Sequence, residues 1–424
     1  MEQTEAYNYL LGHENCFLTG RAGVGKSFLI KRLLDDLGHN PALAVTATTG
    51  IAARNIGGQT VHAYFGIGLG RKYDPETRKL EDFEKFWQKC EYSPYFNWTG
   101  LSSLEYLVID EISMMTGTFL QDIQRILKRV KKNNQPFGGV KIIACGDFLQ
   151  LPPVSKGSTV YDWAFKCDAW RQGDIRVLNL QKSYRHDDPV WLDALNDVRV
   201  ARITQPTLEL LRSRSAERVP DGFEGTVLMT HNEQAGRYNR VKLDELAGPE
   251  KEFRAQLQGK EHKIKQLLDS ITTPEVLCLR KGARVLMTIN DREGAFYNGT
   301  RAVVLDWTPD TVRVELETGE QLDVERFAFS DENRNVTGSK PTATAKQFPM
   351  KLAWAVTIHS SQGLTLTSVF VQAEHVFTAH QLYVALSRCK TSDGLTIQGF
   401  DPSKCYVDYD ARQFYEQLTK AEKV

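Results

Sequence analysis

Short runs of apolar and β-branched residues alternate along the chain with stretches of helical periodicity. The runs that predict strands are Ala42–Thr46, Tyr106–Ile109, Val140–Cys145, Arg176–Leu180, Thr226–Met229, Ala353–Thr357 and Ser368–Val371. Because these runs are almost continuously apolar, each strand is expected to be buried on both faces, as in a parallel sheet covered by helices. The pattern predicts an α/β fold.

Two segments interrupt this alternation. Residues 66–100 are rich in aromatic and charged side chains, and residues from about 274 to 348 alternate apolar and polar positions around turn signals such as Thr318-Gly319. We interpret both as insertions in the α/β framework, the second as a small β-barrel.

A helix is predicted between the two insertions. Its apolar residues recur at helical spacing: Phe119, Leu120, Ile123, Ile126, Leu127 and Val130. Its basic residues are expected to form a solvated face: Lys128, Arg129, Lys131 and Lys132.

Composition narrows the class of protein. A chain of 424 residues exceeds one ordinary core, so about two to four domains are expected. No long apolar run and no basic, apolar leader is present, which argues against membrane insertion and secretion. The seven cysteines are scattered without a C-x-x-C pair, which favours reduced thiols over a zinc site or disulfides. Lysine plus arginine equals aspartate plus glutamate at 53 each, so any nucleic acid must be bound by a local channel.

A phosphate-binding loop is the strongest local signal. The segment from Gly20 to Ser27 matches G-x-x-x-x-G-K-S/T and lies between a strand-like and a helical stretch. Glycines let the backbone wrap around phosphates, while N–H groups and the helix N-terminus face the negative charge. Lys26 is expected to hold the β- and γ-phosphates and Ser27 to bind Mg²⁺. The alternative is a purely structural glycine-rich turn.

Polar residues follow two further predicted strands. Asp110 is suited to hold Mg²⁺ and Glu111 to polarise an attacking water. Alone this pair could be an ordinary helix start, but its place after a phosphate-binding loop favours catalysis. Gln150 is suited to sense the γ-phosphate at the strand ends, where α/β sheets bind ligands. A rigid turn at Pro152-Pro153 is the structural interpretation, and both can hold.

Phosphoryl transfer also needs positive charge near the γ-phosphate and the leaving group. Arg185 and Arg388 are candidates for that charge. Either arginine alone would be interpreted as an ordinary surface residue.

Taken together, these segments resemble superfamily-one helicases of the petite-integration-frequency (Pif) type. The most specific match pairs Pro136-Phe137-Gly138-Gly139 with the stretch from Gly146 to Val154, which has the pattern G-D-F-x-Q-L-P-P-V. Further matches follow in the order of the family: Gly58–Gly66, Glu111–Met114, Leu352–His359, Ser361–Gly363 and Tyr383–Arg388. The resemblance spans nearly the whole chain.

The resemblance implies two RecA-like P-loop domains, over residues 1–184 and 185–424, with parallel sheets flanked by helices. Each domain would carry an insertion: a wedge at 66–100 and an SH3-like β-barrel at about 274–348. Packing into a small core of the insertion is the alternative for most aromatics of the wedge. ATP and Mg²⁺ would bind at the interface of the domains, and hydrolysis would drive 5′-to-3′ stepping on single-stranded DNA and unwinding.

The resemblance also assigns residues. Those implied in catalysis are Lys26, Asp110, Glu111, Gln150, Arg185 and Arg388, with Ser27 and Asp110 as metal ligands. Those implied in nucleotide binding are Gln3 at the adenine, Gly20, Ala22, Gly23, Val24, Gly25, Lys26, Ser27, Gln150, Arg185, Gly363 and Arg388. Those implied in DNA binding are Thr49, Thr60, His62, Phe65, Thr357, His359 and Gln362, through hydroxyl and amide contacts to phosphates and ring stacking on bases. Phe65 as a core aromatic and His62 as a buried histidine remain open alternatives.

Three positions depart from the pattern of the family. Ser360 stands where a lysine is usual, Thr48 where a proline is usual and His380 where a glycine is usual. The first two bear on how DNA is held, and none bears on the chemistry of ATP.

The expected partners are single-stranded DNA and its junctions or forks with duplex, with G-quadruplexes and RNA–DNA hybrids as further candidates. The expected protein is a monomeric motor in the cytoplasm of a bacterial or phage-infected cell, associated with the nucleoid and not with a membrane.

Three other functions compete with unwinding. An intact wedge would argue against a translocase with weak strand separation. The set of transition-state residues argues against a DNA-binding module that uses ATP only as a switch. The lack of a phosphate-acceptor motif argues against a P-loop kinase.

Overall fold

The computed structural model describes residues 1–38, 40–67, 70–71, 73–74, 79–153, 160–182, 188–289, 291, 294–296, 298–330 and 341–421. Within them the α-helices are α1 (Gln3–Leu11), α2 (Lys26–Leu37), α3 (Gly50–Asn55), α4 (Val61–Phe65), α5 (Phe83–Glu91), α6 (Trp98–Ser103), α7 (Gly117–Lys131), α8 (Asp168–Gln172), α9 (Pro189–Arg199), α10 (Gln205–Ser213), α11 (Asn232–Asp244), α12 (Glu261–Ser270), α13 (Gln381–Leu386) and α14 (Tyr409–Ala421).

The strands of the first half of the chain are β1 (Cys16–Thr19), β2 (Leu43–Ala47), β3 (Gln59–Thr60), β4 (Tyr73–Asp74), β5 (Lys79–Leu80), β6 (Tyr106–Asp110), β7 (Lys141–Gly146) and β8 (Arg176–Asn179). Those of the second half are β9 (Thr226–Met229), β10 (Lys251–Arg254), β11 (Gln256–Gly259), β12 (Val276–Leu279), β13 (Arg284–Met287), β14 (Arg301–Trp307), β15 (Thr311–Leu316), β16 (Gln321–Glu325), β17 (Phe327–Ser330), β18 (Ala343–Gln347), β19 (Met350–Leu352), β20 (Ala355–Thr357), β21 (Val369–Gln372) and β22 (Leu395–Gln398).

The chain divides into two compact units. Unit 1 comprises Met1–Arg202 together with Tyr406–Val424, and unit 2 comprises Ile203–Cys405. The ranges predicted from the sequence, 1–184 and 185–424, divide the chain differently. The reason is that Tyr415 of α14 is buried in the core of unit 1, and Arg199 of α9 forms an ion pair with Asp147 of that unit.

Unit 1 is built on a six-stranded parallel sheet. Its strand order is β3-β2-β6-β7-β1-β8. Every residue of β1 and β7 is buried, which matches strands covered on both faces by helices. The predicted parallel α/β framework is confirmed, and it brings the carboxyl ends of β1, β6 and β7 to one edge.

The first insertion, residues 66–100, contributes β4, β5, α5 and the start of α6. Phe83, Phe86 and Trp87 of α5 are buried in the same core as Val61 of α4. Most of these aromatics therefore pack, as expected, but they extend the main core of unit 1 instead of forming a core of their own. Three further aromatics are exposed: Tyr92 by 84%, Tyr95 by 44% and Trp98 by 38%.

Unit 2 contains a four-stranded parallel sheet of order β20-β9-β21-β22. Three antiparallel sheets accompany it, with orders β16-β15-β14-β13-β19, β11-β18-β17 and β10-β12. The β structure predicted for residues 274–348 is confirmed. The insertion is larger than predicted, because β10 and β11 lie upstream of it and pair with its strands, and Phe253 of β10 belongs to its core.

No helix in the described part of the chain combines the length and the apolar character needed to cross a bilayer.

Candidate functional site

The loop between β1 and α2 has the backbone of a phosphate-binding loop. Gly20, Gly23 and Gly25 have φ angles of 141°, 82° and 88°, which side chains rarely allow. A Cβ atom on Gly20 would also lie 2.5 Å from the carbonyl oxygen of Leu180. Lys26 donates from Nζ to the carbonyl oxygens of Gly20, at 2.8 Å, and Arg21, at 3.2 Å. The lysine is therefore held across the loop, where it can meet a phosphate.

The flanks of this loop differ in exposure. Ala22 and Val24 are buried and anchor the loop in unit 1, whereas Ser27, at the start of α2, is exposed. Gln3, the first residue of α1, donates from Nε2 to the carbonyl oxygen of Val24 at 3.0 Å. This bond places the predicted adenine-binding residue directly against the loop.

The two carboxylates predicted for catalysis lie where β6 ends. Asp110 is 7% exposed, and its Oδ1 accepts a hydrogen bond from the backbone N–H of Glu111 at 2.8 Å. Burial raises the pKa of Asp110, while this N–H, the Cys145 thiol and the ammonium group of Lys26 oppose the rise. Glu111 has a left-handed backbone, with φ 53° and ψ 42°. The positive charge of Lys26 favours the ionised form of Asp110, and an ionised carboxylate near the phosphate-binding lysine is suited to hold a cation beside the phosphates.

Gln150 lies in the turn after β7, the strand next to β1. The turn is closed by hydrogen bonds to Asp147: the N–H of Gln150 donates to its carbonyl oxygen at 2.9 Å, and the N–H of Leu149 to its Oδ1 at 3.0 Å. Gln150 is 5% exposed. The structure thus brings Lys26, Asp110, Glu111 and Gln150 to the same edge of one sheet.

Two arginines are predicted from the second domain, over 185–424, and of these Arg388 lies in unit 2. Arg388 is 2% exposed and donates from Nε to the carbonyl oxygen of Val384 at 2.9 Å and from Nη2 to Ser387 Oγ at 2.8 Å. Nη1 donates to the carbonyl oxygen of Leu364 at 3.4 Å, next to Gly363. Arg388 therefore joins α13 to the turn that contains Gly363. Arg185 lies outside the described residues.

The DNA candidates of unit 1 fall into two groups. Thr49 and Thr60 are half-buried, and their Oγ1 atoms accept hydrogen bonds from Ala52 N–H and Ala63 N–H, both at 3.2 Å. Each threonine thus caps a helix, and its side chain keeps exposed surface for a phosphate.

The two aromatic candidates differ. His62 stacks on Phe119 with ring centroids 4.2 Å apart and an interplanar angle of 7°, and burial lowers its pKa to about 4. Phe65 is fully buried in the core. A ring without exposed surface cannot stack on a base, so the structure gives Phe65 a packing role instead of the predicted DNA contact.

The DNA candidates of unit 2 surround one turn after β20. Thr357 Oγ1 donates to Ser360 Oγ at 2.9 Å and accepts from the N–H of Ser360 at 3.2 Å. Burial lowers the pKa of His359. Gln362 is 8% exposed, and its buried Nε2 lacks a hydrogen-bond partner among the described residues, which suits a ligand-binding amide. Ser360 stands where the resembled family usually has a lysine, and its hydrogen bonds with Thr357 close this turn.

Sequence reasoning missed three residues beside Gln150. Asp147 is fully buried, and it accepts hydrogen bonds from Arg199 while Tyr415 packs against the same turn. Asp147 could have been noticed as a charged residue after a buried strand. Arg199 and Tyr415 carry no local signal, since they lie 52 and 267 residues from their partners in this turn.

Comparisons with known proteins identify the family of this chain. The family model described as PIF1-like helicase matches residues 2–198. The ATP-dependent DNA helicase PIF1 of Danio rerio is 36% identical over 99% of this chain, which spans 64% of the length of that relative. The ATP-dependent DNA helicase Pif1 of Bdellovibrio bacteriovorus is 34% identical over 98% of this chain and 91% of its own length.

Among solved structures, Pif1 helicase from Bacteroides in complex with ADP-AlF3 and single-stranded DNA is similar to this chain. It superposes with a TM-score of 0.73 at 31% identity and covers 99% of this chain and 97% of its own. Sequence similarity to two curated relatives and structural similarity to a third protein agree along nearly the whole chain. The chain belongs to the PIF1-like helicase family.

Proposed function

We propose that this chain is an ATP-dependent DNA helicase that moves 5′ to 3′ on single-stranded DNA and separates duplex strands. The observation that carries the proposal is the convergence of Lys26, Asp110, Glu111 and Gln150 at one edge of the sheet of unit 1. The complex of the Bacteroides relative with ADP-AlF3 and single-stranded DNA supports the same two ligands for this chain.

The side chains at this edge can perform hydrolysis of a phosphoanhydride. Lys26 is proposed to stabilise negative charge on the phosphates, and Glu111 to accept a proton from the attacking water. Gln150 is proposed to orient that water or the terminal phosphate. Ser27 and Asp110 supply oxygen ligands of the kind that Mg²⁺ prefers, and the bound ion would neutralise phosphate charge. Gln3 is proposed to recognise the base beside Val24.

Three further residues are proposed from family resemblance. Gly363, Arg388 and Arg185 would assist phosphate binding. Arg388 contacts the turn that contains Gly363, so these two residues are held next to each other.

For DNA, the uncharged groups Thr49, Thr60, His62, Thr357, His359 and Gln362 are proposed to contact the backbone of a single strand. Contacts of this kind hold a strand without reading its sequence. Forks and junctions are the proposed substrates, with G-quadruplexes and RNA–DNA hybrids as further candidates and a monomer as the working form.

The test is strand separation on forked duplexes that carry only a 5′ or only a 3′ single-stranded tail, with ATP and Mg²⁺. We expect unwinding of the 5′-tailed fork alone, and none by Lys26→Ala. Unwinding from the 3′ tail alone would overturn the polarity. ATPase activity stimulated by single-stranded DNA without unwinding would leave a translocase. A protein with neither activity would refute the proposal.

A further inference from the structure

A buried ion pair lies beside the turn that contains Gln150. Asp147 is fully buried, and Arg199, which is 14% exposed at its side chain, donates to it from Nη2 at 2.8 Å and from Nε at 3.1 Å. Burial alone would raise the pKa of Asp147, but the guanidinium group of Arg199, together with Lys26 and the N–H of Leu149, holds that pKa below its usual value. Burying a charged pair is costly, so such pairs are often kept for the geometry they impose.

A buried tyrosine completes this cluster. The hydroxyl oxygen of Tyr415 accepts a hydrogen bond from the N–H of Phe148 at 3.2 Å and lies 2.5 Å from Thr19 Oγ1. Burial raises the pKa of the Tyr415 phenol well above its usual value, so the phenol keeps its proton and can donate it to Thr19. The guanidinium carbon of Arg199 lies 4.8 Å from the centroid of the same ring.

These contacts join two parts of the nucleotide site. Thr19 is the last residue of β1 and directly precedes Gly20 of the phosphate-binding loop. Phe148 belongs to the turn that Asp147 closes and that contains Gln150. The phenol of Tyr415 therefore fixes the spacing between the phosphate-binding loop and the turn that contains Gln150.

The two helices that contribute Arg199 and Tyr415 each lie next in the chain to a covalent connection between the units. Arg199 is the last residue of α9, and unit 2 begins at Ile203. Unit 2 ends at Cys405, and α14 follows from Tyr409. The exit is also attached to unit 1, because Asp408 Oδ1 accepts a hydrogen bond from Trp163 Nε1 at 2.8 Å.

We propose that Arg199 and Tyr415 are positioning residues for ATP hydrolysis, which hold the Asp147–Gln150 turn against β1. This inference rests on the proposed ATPase activity. Neither residue needs to touch the nucleotide: Tyr415 acts through Thr19 and Phe148, and Arg199 acts through Asp147.

The test compares Tyr415→Phe, which removes only the hydroxyl group, with Tyr409→Phe in the same helix. Tyr409 is 73% exposed and serves as the matched control. At saturating ATP and single-stranded DNA, we expect Tyr415→Phe to lower kcat about tenfold and to leave the KM for ATP within about twofold, because the loss falls on the transition state. Tyr409→Phe should match the wild type.

A double variant distinguishes positioning from a general structural effect. If Tyr415 acts through Gln150, Tyr415→Phe should lower kcat in the wild-type background but change it little in Gln150→Ala. Thr19→Val removes the other partner of the same hydrogen bond and should reproduce the loss if Tyr415→Phe does not fold.

The outcomes separate this inference from the proposed function. A folded Tyr415→Phe with wild-type kcat, or losses that multiply in the double variant, would overturn the inference alone. A wild-type protein without ATPase activity would overturn both.

Discussion

Glu111 combines a functional carboxylate with an unfavourable backbone. Its φ of 53° lies in the left-handed region, which costs an ordinary L-residue about 1–2 kcal/mol. Strain of this kind is found at active sites, where the surrounding structure holds a side chain in a position that it would otherwise leave. Stability and activity should therefore be separable at this residue.

We predict that Glu111→Gly abolishes ATP hydrolysis but raises the free energy of unfolding by about 1 kcal/mol, since glycine adopts this backbone without strain. Glu111→Gln keeps the Cβ atom, so it should abolish hydrolysis without raising the free energy of unfolding. Urea unfolding and ATPase assays of both variants check this. Equal stability of the two variants would show that the backbone is not strained.

His62 should make folding stability depend on pH. Its pKa is lowered to about 4, so between pH 4 and about 6.5 the unfolded chain binds more protons than the folded protein. Stability from this residue is present above pH 6.5 and is lost as pH falls through that window, by up to about 3 kcal/mol. Urea unfolding at pH 7.5 and 4.5 should show a smaller loss for His62→Gln than for the wild type. His262→Gln, at an exposed position in α12, should lose as much stability between these two pH values as the wild type.

Residues whose role depends on adjacent positions could be predicted from the sequence. Gly20, Lys26 and Asp110 belong to short patterns in which the strand, the loop and the charge are neighbours in the chain. Phe65 could not be assigned in this way, because only the fold shows that its ring is covered. Tyr415 was missed because its partner Thr19 lies 396 residues away.

At the scale of elements, the first insertion packs against α7. The basic face of α7 is predicted to be solvated, and two of its residues, which are partly exposed, also contact the neighbouring segments. The guanidinium carbon of Arg129 lies 5.2 Å from the ring centroid of Phe83, and Lys131 Nζ donates to the carbonyl oxygen of Leu104 at 3.0 Å. Helical periodicity located the buried face of α7, but it could not show that α5 and α6 cover part of the other.

An ion pair between Arg71 and Asp122 attaches the insertion to α7. Arg71 Nε lies 2.7 Å from Asp122 Oδ2, and the side chains are 13% and 3% exposed. Arg71→Ala leaves a buried carboxylate without its cation, so we predict a loss of about 3 kcal/mol in the free energy of unfolding. Lys89→Ala, which breaks the more exposed pair with Glu81 in the same insertion, should cost less than about 1 kcal/mol. If both variants lost a similar free energy of unfolding in urea, burial would not determine how much each ion pair contributes.

At the scale of the whole molecule, positive and negative residues balance at 53 each. The DNA candidates add no charge, since they are threonines, glutamine and histidines whose pKa values are lowered by burial. Affinity for single-stranded DNA should therefore fall with rising salt, but with a shallow slope.

Ser360→Lys tests this balance, because it adds one cation at the turn of Thr357. We predict tighter binding at low salt and a plot of log affinity against log salt that is steeper by about 0.7. Fluorescence anisotropy with a labelled oligonucleotide gives both values. Ser403→Lys, at an exposed position elsewhere in unit 2, is the control and should leave the slope unchanged. The same slope for Ser360→Lys and the wild type would place the phosphates away from this turn.

The parallel α/β framework and the β-rich insertion were predictable, since apolar runs and alternating runs differ in period. The division of the chain into units was not, because α14 is an amphipathic helix like any other until its partners are known. Its buried residues Ala411 and Tyr415 complete a core whose other members come from the first half of the chain.

This discontinuity of unit 1 has a consequence for synthesis on the ribosome. All of Ile203–Cys405 must be synthesised before the last segment of unit 1 is made. At about 5–20 residues per second, that interval lasts about 10–40 seconds. Throughout it, the turn of Gln150 lacks the hydroxyl group that joins it to β1. A nascent chain therefore contains every residue of its phosphate-binding loop long before that loop has its final support, and only a chain translated through α14 can complete it.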